Sequence, residues 1–513
     1  MSKGKLYKLI LLVLTVCVLF SGCRKAPGPT VLPNSGTVSM QMRISPTLNP
    51  ILVENQSVRD VLSLCYEPLF VINDKMVPEG VLATHIQVAE DSLSATVTLK
   101  DSVLWHDGVG FTSADVVYTV NMLKENANSP YYECVKYIDT VQPMGPLSFS
   151  MTFVRPYGQI ACSLYFPIIP SHAANIGEEI MGTGPYMFDS YSETTSLILK
   201  KNDKWHGGEI SCESVNVSIV RDSEIATSAF NSGSINTITG TSYDSENSAV
   251  KNNAKITQYP SPEYEFMAFN HNCDVFSSPA VRSAVSMSID RSKIVSEVYK
   301  ETAYAANSPV HPVAAELTVD SGGSQYSLSG AGETLFLEGY ALNQSTGMLE
   351  NEDGEKLSFT LLVNSDNPWR MKTAELLCSQ LFLAGIEVKV KDVEFQTYIS
   401  EIQAGNYDAY LGGVTFANMY DYEFLLSDTG KLNTFGYISE YMTAALGAIA
   451  DSSDEDKLAV SLVSFEEVFL REQPICGIAF RNGALMTAEN INGELSPYPG
   501  YPYKNISKWN VGQ

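Results

Sequence analysis

The sequence lacks the short motifs that usually mark a catalytic or nucleotide-binding site. It contains no G-x-S-x-G, H-E-x-x-H, Walker or G-x-G-x-x-G pattern, and each of these patterns belongs to a particular chemistry. Its six histidines are far apart, and its cysteines form no C-x-x-C pair, so no metal-ligand spacing is present. We therefore expect a protein that is not an enzyme and that holds neither a cofactor nor a metal.

Positive charge is also scarce. The chain has 33 Lys and Arg residues against 58 Asp and Glu residues, which gives a formal net charge of −25. A field of this sign repels the phosphates of a polynucleotide and makes nucleic-acid binding unfavourable. We therefore expect no nucleic-acid partner.

Long apolar runs are missing except in the first segment of the chain. Three lysines within residues 1–8 precede an apolar run at 9–20, and two small residues then precede Cys23. The run is shorter than the roughly 20 residues that span a bilayer and is typical of a secretory signal. The segment resembles the signal of bacterial lipoproteins, which implies that residues 1–22 are removed and that Cys23 is lipidated. We expect an exported protein, held by its lipid on the outer face of the bacterial cytoplasmic membrane or in the periplasm.

The rest of the chain is long enough for several lobes. At 513 residues it exceeds the usual size of a single core. Residues 23–37 are rich in Pro, Gly and Ser, which indicates a tether before the folded body. The seven cysteines beyond Cys23 are scattered and odd in number, so we expect mostly free thiols rather than a disulfide framework.

Alternating strand and helix patterns are clearest between residues 357 and 411. Gly385 can supply the left-handed residue that ends a helix. The resulting β-α-β-α-β order implies a largely parallel sheet. The pattern predicts strands and helices, in chain order, at 357–363, 371–384, 386–390, 397–404 and 407–411.

Several helix starts can also be recognised. Thr112 and Asp115 have the spacing of an N-terminal capping box. Ser278 stands before Pro279, an arrangement typical of a first helical turn, and Asp290 can cap a second helix that begins at the next residue. These residues predict local structure rather than chemistry.

One block of sequence resembles a known family. KDSVLWHDG at 100–108, followed by FTSADV at 111–116, resembles the signature of the family 5 extracellular solute-binding proteins, the peptide and nickel receptors of ABC importers. The resemblance rests on the order and spacing of several short stretches across nearly the whole mature chain. The further stretches are LNP at 48–50, YEPL at 66–69, GTGPY at 182–186, NDKW at 202–205, FN at 269–270, VRSA at 281–284, IDR at 289–291 and GI at 385–386.

The family resemblance implies an α/β, bilobal periplasmic-binding-protein-like (type 2) fold with an extra inserted domain. On that analogy the inserted domain comprises residues 59–179 and the second lobe residues 266–479. Ligands of such folds bind where the lobes meet, and the lobes close by a hinge motion. The first lobe would comprise residues 38–58, 180–265 and 480–513.

The resemblance also implies a function. It predicts the substrate-binding lipoprotein of an ABC importer, a monomer that captures a solute, most simply a short peptide, and delivers it to the permease subunits. Two alternatives in the same fold stay open: a receptor for another solute such as a nickel chelate, and a sensory lipoprotein without a transport role. An exported hydrolase is a further class, for which the sequence offers no visible nucleophile.

The candidate ligand-binding residues lie in the segment 416–426. In peptide-binding members of the family an acidic residue of the second lobe holds the peptide amine, and this segment matches that stretch. One alignment places Asn418 at the anchor position, and a shifted alignment places Asp421 there. With the aromatic residues of the segment, the predicted site is Phe416, Asn418, Tyr420 and Asp421. Asn and Asp are also favoured in turns, which leaves a structural role open.

The residues that carry the family motifs are expected to build the fold rather than to contact ligand. Asp107 precedes a glycine in a turn pattern, and Gly184 lies where the backbone requires a permissive residue. Trp105 and Arg282 belong to the same class of motif residues. We therefore predict that substitution of these four residues affects stability first.

Overall fold

The computed structural model describes residues 36–173, 176–177, 180–241, 253–317 and 326–512. The predicted signal peptide, the lipidation residue Cys23 and nearly all of the predicted tether lie outside the described residues. Among the described residues, no helix combines the length and the apolar character needed to cross a bilayer.

Strands and helices alternate irregularly along the chain. The strands are β1 Thr37–Arg43, β2 Phe70–Ile72, β3 Pro78–Gly80, β4 Ala83–Val88, β5 Ser94–Leu99, β6 Ile138–Gly145, β7 Ser148–Phe153, β8 Tyr186–Ser192, β9 Ser196–Lys201, β10 Ser214–Val220, β11 Thr237–Thr241, β12 Lys255–Phe269, β13 Ala303–Ala305, β14 Ala341–Asn343, β15 Met348–Glu350, β16 Ser358–Asn364, β17 Glu387–Val393, β18 Ala409–Thr415, β19 Ile475–Thr487, β20 Ile491–Asn492 and β21 Asn510–Val511. The helices are α1 Gln56–Leu62, α2 Ser113–Glu125, α3 Tyr132–Val135, α4 Ser223–Ser232, α5 Pro279–Met287, α6 Arg291–Glu297, α7 Leu328–Leu337, α8 Pro368–Leu383, α9 Phe395–Ala404, α10 Glu423–Leu426, α11 Glu440–Ala450 and α12 Glu455–Glu472.

The first lobe and the inserted segment are built on two separate sheets that share one core. The first sheet has the order β1-β10-β9-β8, and the second, within residues 59–179, has the antiparallel order β4-β5-β7-β6. A single apolar cluster runs from Val38 to Val217 and includes Trp509 near the C-terminus. Because the two sheets bury their apolar faces in the same cluster, the first lobe and the inserted segment pack together as one body.

A large mixed sheet of order β11-β19-β12-β18-β16-β17, with β13 also paired to β19, forms the second lobe and extends into the first. By the predicted boundaries, β11 and the paired ends of β12 and β19 belong to the first lobe. Alternate residues of β12 face opposite sides of this sheet. Phe266 and Ala268 belong to one apolar cluster, whereas Met267 and Phe269 belong to another. Helices therefore cover both faces of the sheet, and together with the first body they give the bilobal α/β architecture that the sequence predicts.

The predicted β-α-β-α-β unit is confirmed as β16, α8, β17, α9 and β18. β16 lies between β17 and β18 and is parallel to both. The expectation of a largely parallel sheet holds only for the pairing of these three strands, because β12 pairs antiparallel with both β18 and β19. The helix α8 ends before Gly385, which has a φ of +81° and so forms the predicted left-handed stop.

The predicted helix starts are confirmed by their hydrogen bonds. The Thr112 amide donates to Asp115 Oδ2 over 2.9 Å. Ser278 Oγ accepts from the Ala280 amide over 3.2 Å ahead of Pro279, and Asp290 Oδ1 accepts from the third residue of α6 over 3.0 Å. Side-chain acceptors thus satisfy amides that the first helical turn leaves without partners.

Two long paired strands connect the lobes. The boundaries predicted between residues 265 and 266 and between 479 and 480 fall inside β12 and β19. These strands pair from Lys255 to Pro260 and again from Tyr264 onward. Between the two stretches, residues 261–263 of β12 face Arg481 alone, which is a β-bulge. The exact domain boundaries stay a prediction. Two irregular points lie next to them, this bulge and a second register shift between Glu265 and Phe266.

The cysteines agree with the expectation of free thiols. All seven cysteines of the described residues are free, and five of them are buried. Burial raises the pKa of Cys162 and of Cys134 to about 12, because the charged thiolate is unfavourable in an apolar environment. These residues therefore behave as small core side chains.

Arg282 anchors helix α5 within the second lobe. Its guanidinium is buried and donates to the carbonyl oxygens of Phe276 at 2.6 Å, Glu472 at 2.6 Å and Gln473 at 3.0 Å. Burial lowers the pKa of Arg282 to about 10. The side chain thus joins α5 to the end of α12, as expected for a scaffold residue.

We predict that Arg282→Lys destabilises the protein. An ammonium group cannot reproduce the planar donor set, and buried carbonyl oxygens lose hydrogen bonds to a charged donor that are worth about 1.5–3 kcal/mol each. Urea unfolding should show a lower transition midpoint than wild type. The exposed Arg221 provides the matched control, and equal midpoints for Arg282→Lys and Arg221→Lys would contradict a scaffold role.

Candidate functional site

A large cavity lies between the two lobes. Its volume is about 1320 Å³, which exceeds the roughly 300–1,000 Å³ of most small-molecule sites. One wall comes from β1, α1, α4 and β11, and the opposite wall comes from the β12 bulge and the residues that follow β18. Inserted-segment residues such as Tyr131 and Tyr165 close one side.

The cavity surface combines aromatic rings with exposed backbone. Tyr131, Tyr165, Tyr259 and Phe416 line it, and they offer apolar surface to a ligand. The strand β11 lies at the edge of the large sheet, and β19 is its one partner among the described strands. Three of its residues, 238–240, line the cavity, so an extended ligand could pair with this strand edge as an added strand.

Two arginines line the cavity on the first-lobe side. Arg43 lies at the end of β1, and its guanidinium has no hydrogen bond or ion pair with any residue that the structure describes. The Arg59 guanidinium donates to the carbonyl oxygens of Val53 at 3.2 Å and Glu54 at 2.5 Å. Its third acceptor is Gln56 Oε1 at 2.5 Å. Arg43 is therefore available to an anionic group, whereas Arg59 has protein acceptors.

Asp60 is the one buried carboxylate among the described residues that line the cavity. Its side chain is in helix α1, and only 4% of the residue is exposed. Oδ1 accepts from Gln56 Nε2 at 2.6 Å, and Oδ2 accepts from Thr239 Oγ1 at 2.7 Å. Burial raises the pKa of Asp60, although the hydrogen bonds from Thr239 and Gln56 and the charge of Arg59 partly oppose the shift.

The other acidic residues of the cavity have cationic partners or face solvent. Glu133 pairs with Lys136 at 2.9 Å, and Glu263 pairs with Arg481 at 3.2 Å. Glu224 is exposed in the first turn of α4. Asp60 has no ion pair with any described residue, which distinguishes it from Glu133 and Glu263.

Among the residues predicted from sequence, Phe416 lines the large cavity. Its amide donates to the Pro262 carbonyl over 3.1 Å, which joins the end of β18 to the β12 bulge. Its ring contacts those of Tyr264 and Tyr422, with centroids 6.0 and 5.5 Å apart. A ligand role for Phe416 stays a prediction, and its position is compatible with one.

Asn418 instead contacts the inserted segment. Its Nδ2 donates to the Gln159 carbonyl at 3.0 Å, to Ser163 Oγ at 3.0 Å and to Tyr157 Oη at 3.2 Å. Its Oδ1 accepts from the Tyr420 amide at 2.9 Å. The side chain is 4% exposed and does not line the large cavity. Its hydrogen bonds thus connect the second lobe to the first body.

Asp421 makes ion pairs with the same segment. Its carboxylate lies 3.3 Å from Lys136 Nζ and 4.0 Å from Arg155 Nη2. Asn418, Tyr420 and Asp421 line a separate void of about 20 Å³, which has room for about one water molecule. Their ligand role stays a prediction. In the structure, the side chains of Asn418 and Asp421 contact the inserted segment.

The backbone of the inserted segment also meets the second lobe closely. The Gly158 amide donates to the Ala450 carbonyl over 2.8 Å, and Ser92 Oγ donates to the Asp451 carbonyl over 3.0 Å. Gln159 Nε2 donates to the Ser452 carbonyl over 2.8 Å. These contacts are on the same side as those of Asn418, so the two lobes touch along one edge of the cavity.

No histidine is among the described residues that line the cavity. Within the described ranges, no group of three or more His, Cys, Asp or Glu side chains is placed to hold a metal ion. The expectation that the protein holds no metal or cofactor stays a prediction.

Comparison with known proteins identifies the family. The sequence model of the bacterial extracellular solute-binding proteins, family 5, matches residues 77–435, which is more than half of the chain. The chain belongs to this family. This family 5 protein is 24% identical to the oligopeptide-binding protein AppA of Bacillus subtilis over 491 residues, which cover 90% of this chain and 89% of that protein.

Solved structures have the same fold as this family 5 protein. A nickel ABC transporter protein from Bacillus halodurans covers 93% of the chain and is itself fully covered, with a TM-score of 0.79 and 18% identity. AppA from Bacillus subtilis in complex with a nonapeptide covers 94% and is also fully covered, with a TM-score of 0.64 and 21% identity. The bilobal fold is thereby confirmed, and membership of an extracellular family makes this an exported protein.

Sequence reasoning missed the charged residues of the cavity, Arg43 and Asp60 among them. Neither lies in a motif of the family. The signal for Asp60 was present, because it stands next to Val61 and two positions after Val58, both buried in α1. An acidic residue inside the apolar face of a helix is uncommon and is a reason to look for a polar partner.

Proposed function

We propose that this family 5 protein is the substrate-binding lipoprotein of an ABC importer and that it captures short peptides between its lobes. It performs no catalysis and delivers the closed complex to the permease subunits. A ligand stabilises the closed form only through contacts that both walls make at once. The lipid anchor at Cys23 would keep the receptor near the permease.

The observation that carries the proposal is the cavity of about 1320 Å³ between the lobes. A volume of this size suits an extended chain of several residues better than a compact small solute. The edge of β11 can supply main-chain hydrogen bonds, which bind peptides with little dependence on side-chain identity. The oligopeptide-binding name of AppA supports the same proposal.

Nickel is the second solute that a relative's name suggests, and a nickel chelate is the alternative that the sequence leaves open. The described residues that line the cavity include no histidine, and imidazole is a side-chain ligand that suits nickel. The observed lining therefore favours a peptide.

We predict that the purified protein binds an alanine pentapeptide and nonapeptide more tightly than free alanine, as measured by isothermal titration calorimetry. The longer chain offers more main-chain groups to the cavity walls, which is the physical reason for the preference. Mass spectrometry of ligand released from the protein after denaturation should detect peptides.

The control is a nickel–histidine complex titrated under the same conditions. Tight binding of that complex together with no binding of either peptide would overturn the peptide assignment and leave the family assignment intact. Binding of none of these solutes would also contradict it.

A further inference from the structure

We propose that the Asp60 carboxylate binds a positively charged group of the ligand. The inference rests on the proposed function and deepens it, because it names the chemistry that one end of the ligand, or one of its side chains, brings to the cavity. It places the cation partner on helix α1 of the first body and not in the segment 416–426 of the second lobe.

The Asp60 carboxylate has acceptor positions that no described residue occupies. An ionised carboxylate has about four lone-pair positions, and Gln56 Nε2 and Thr239 Oγ1 occupy two of them. Gln56 is held in turn by Arg59, which donates to its Oε1. The carboxylate is thus fixed in orientation while half of its acceptor positions stay open.

The charge of the buried Asp60 carboxylate also favours a cationic partner. A buried carboxylate without a counter-charge is unfavourable, and a cation that arrives with the ligand removes this cost. Asp60 is 96% buried and lines the cavity, and it has no ion pair with any described residue. The charge of Arg59 on the same helix offsets only part of the cost of burial. Glu133 and Glu263 already have Lys136 and Arg481 as partners.

Asp421, an anchor residue predicted from the sequence, already has cationic partners. Asp421 contacts Lys136 and Arg155 and lines only the small void of about 20 Å³. Its charge is therefore compensated by the inserted segment when the lobes are in contact. Asp60, in contrast, lies in the wall of a cavity that can hold a ligand.

The substitution Asp60→Asn tests this arrangement with little change in side-chain shape. The amide oxygen can still accept from Gln56 Nε2, whose orientation Arg59 fixes. The Thr239 hydroxyl can rotate and accept from the new amide nitrogen, because a hydroxyl both donates and accepts. The variant removes the charge and keeps the shape, so the fold should persist.

The probes are an alanine pentapeptide, its N-acetylated form, and an N-acetylated pentapeptide with lysine at its centre, each titrated calorimetrically. We expect Asp60→Asn to weaken one or both amine-bearing probes by at least about 30-fold, as for a broken buried charge pair, and the uncharged probe by less than threefold. Weaker binding of the first probe would identify the terminal amine as the group that Asp60 binds. Weaker binding of the third would identify a basic side chain. Asp203→Asn changes the net charge equally at an exposed position outside the cavity and is the control.

The pH dependence provides a second readout. Arg59 on the same helix, Tyr131, Tyr259 of β12 and Tyr503 interact electrostatically with Asp60. Burial raises the pKa of all three tyrosines, so they stay neutral near pH 7. Burial raises the pKa of Asp60 in the empty site, and a bound cation favours its ionised form. Affinity for the charged probe should therefore rise with pH in wild type, and less steeply in Asp60→Asn.

Four outcomes would overturn the inference. Equal weakening of charged and uncharged probes by Asp60→Asn would show a packing effect, and unchanged affinity for all probes would show no role. Selective weakening by Asp421→Asn instead would assign the cation site to Asp421. If wild type binds none of the probes, the proposed peptide function fails and this inference fails with it, whereas binding by wild type with no effect of Asp60→Asn overturns this inference alone.

Discussion

Gly184→Val is expected to destabilise the protein by more than about 4 kcal/mol, at the upper end of what single substitutions do. A Cβ at Gly184 would lie 2.5 Å from the Leu64 carbonyl oxygen and 2.8 Å from that of Cys65. Both neighbours are backbone atoms next to helix α1, so neither can rotate away. The backbone at Gly184 therefore has to separate from residues 64–65, with the loss of its own 2.8 Å hydrogen bond to the Cys65 carbonyl.

The measurement is thermal and urea unfolding of the purified variant, with the yield of soluble protein as a first indication. Gly110→Val is the matched control, because a Cβ at that position meets no atom within 4 Å. A Gly184→Val protein that unfolds like Gly110→Val but no longer binds peptide would contradict the scaffold role and would place Gly184 in the ligand site.

Gly158→Ala is expected to weaken peptide binding by about tenfold or more, which corresponds to about 1.4 kcal/mol. A Cβ at Gly158 would lie 1.9 Å from the Ser452 carbonyl oxygen and 2.5 Å from its carbon. These atoms belong to the second lobe, whereas Gly158 belongs to the inserted segment. The added methyl group therefore opposes the approach of the lobes without filling the cavity, and it lowers the population of the closed form.

Calorimetric titration with the peptide that wild type binds, together with solution scattering of the bound and free protein, checks this prediction. Gly145→Ala is the control in the same segment, because its Cβ would have a single neighbour, Ser148 Oγ, at an ordinary 3.7 Å. Unchanged affinity for Gly158→Ala would mean that the contact with Ser452 is not formed during closure. A lower unfolding temperature with normal affinity would assign Gly158 to folding.

The parts of the fold that could be predicted are those that depend on neighbouring residues. Helix α8 and strand β17 have apolar residues at regular spacing, and Gly385 between them needs a positive φ, so both elements were predictable within a few residues. The antiparallel pairing of β12 with β19 could not be predicted from sequence, because it joins residues more than 200 positions apart. No local pattern specifies such a partner.

The site was harder to predict for the same reason. The segment 416–421 was recognised, but the side-chain partners of Asn418 lie 255 to 261 residues earlier in the chain. Whether a polar side chain points into a cavity or across an interface depends on those distant elements. Asp60 could have been noticed from its apolar helix face, whereas its open acceptor positions could be recognised only from the structure.

The β12 bulge at residues 261–263 bears on how the lobes of the proposed receptor move relative to each other. It is one of two interruptions in the paired strands that connect the lobes, and its three residues line the cavity. A ligand bound there as proposed would touch this joint directly, and no chain of intermediate side chains would be needed to transmit its presence. The bending angle would then follow the size of the bound peptide directly, so that peptides of different length leave the receptor in measurably different shapes.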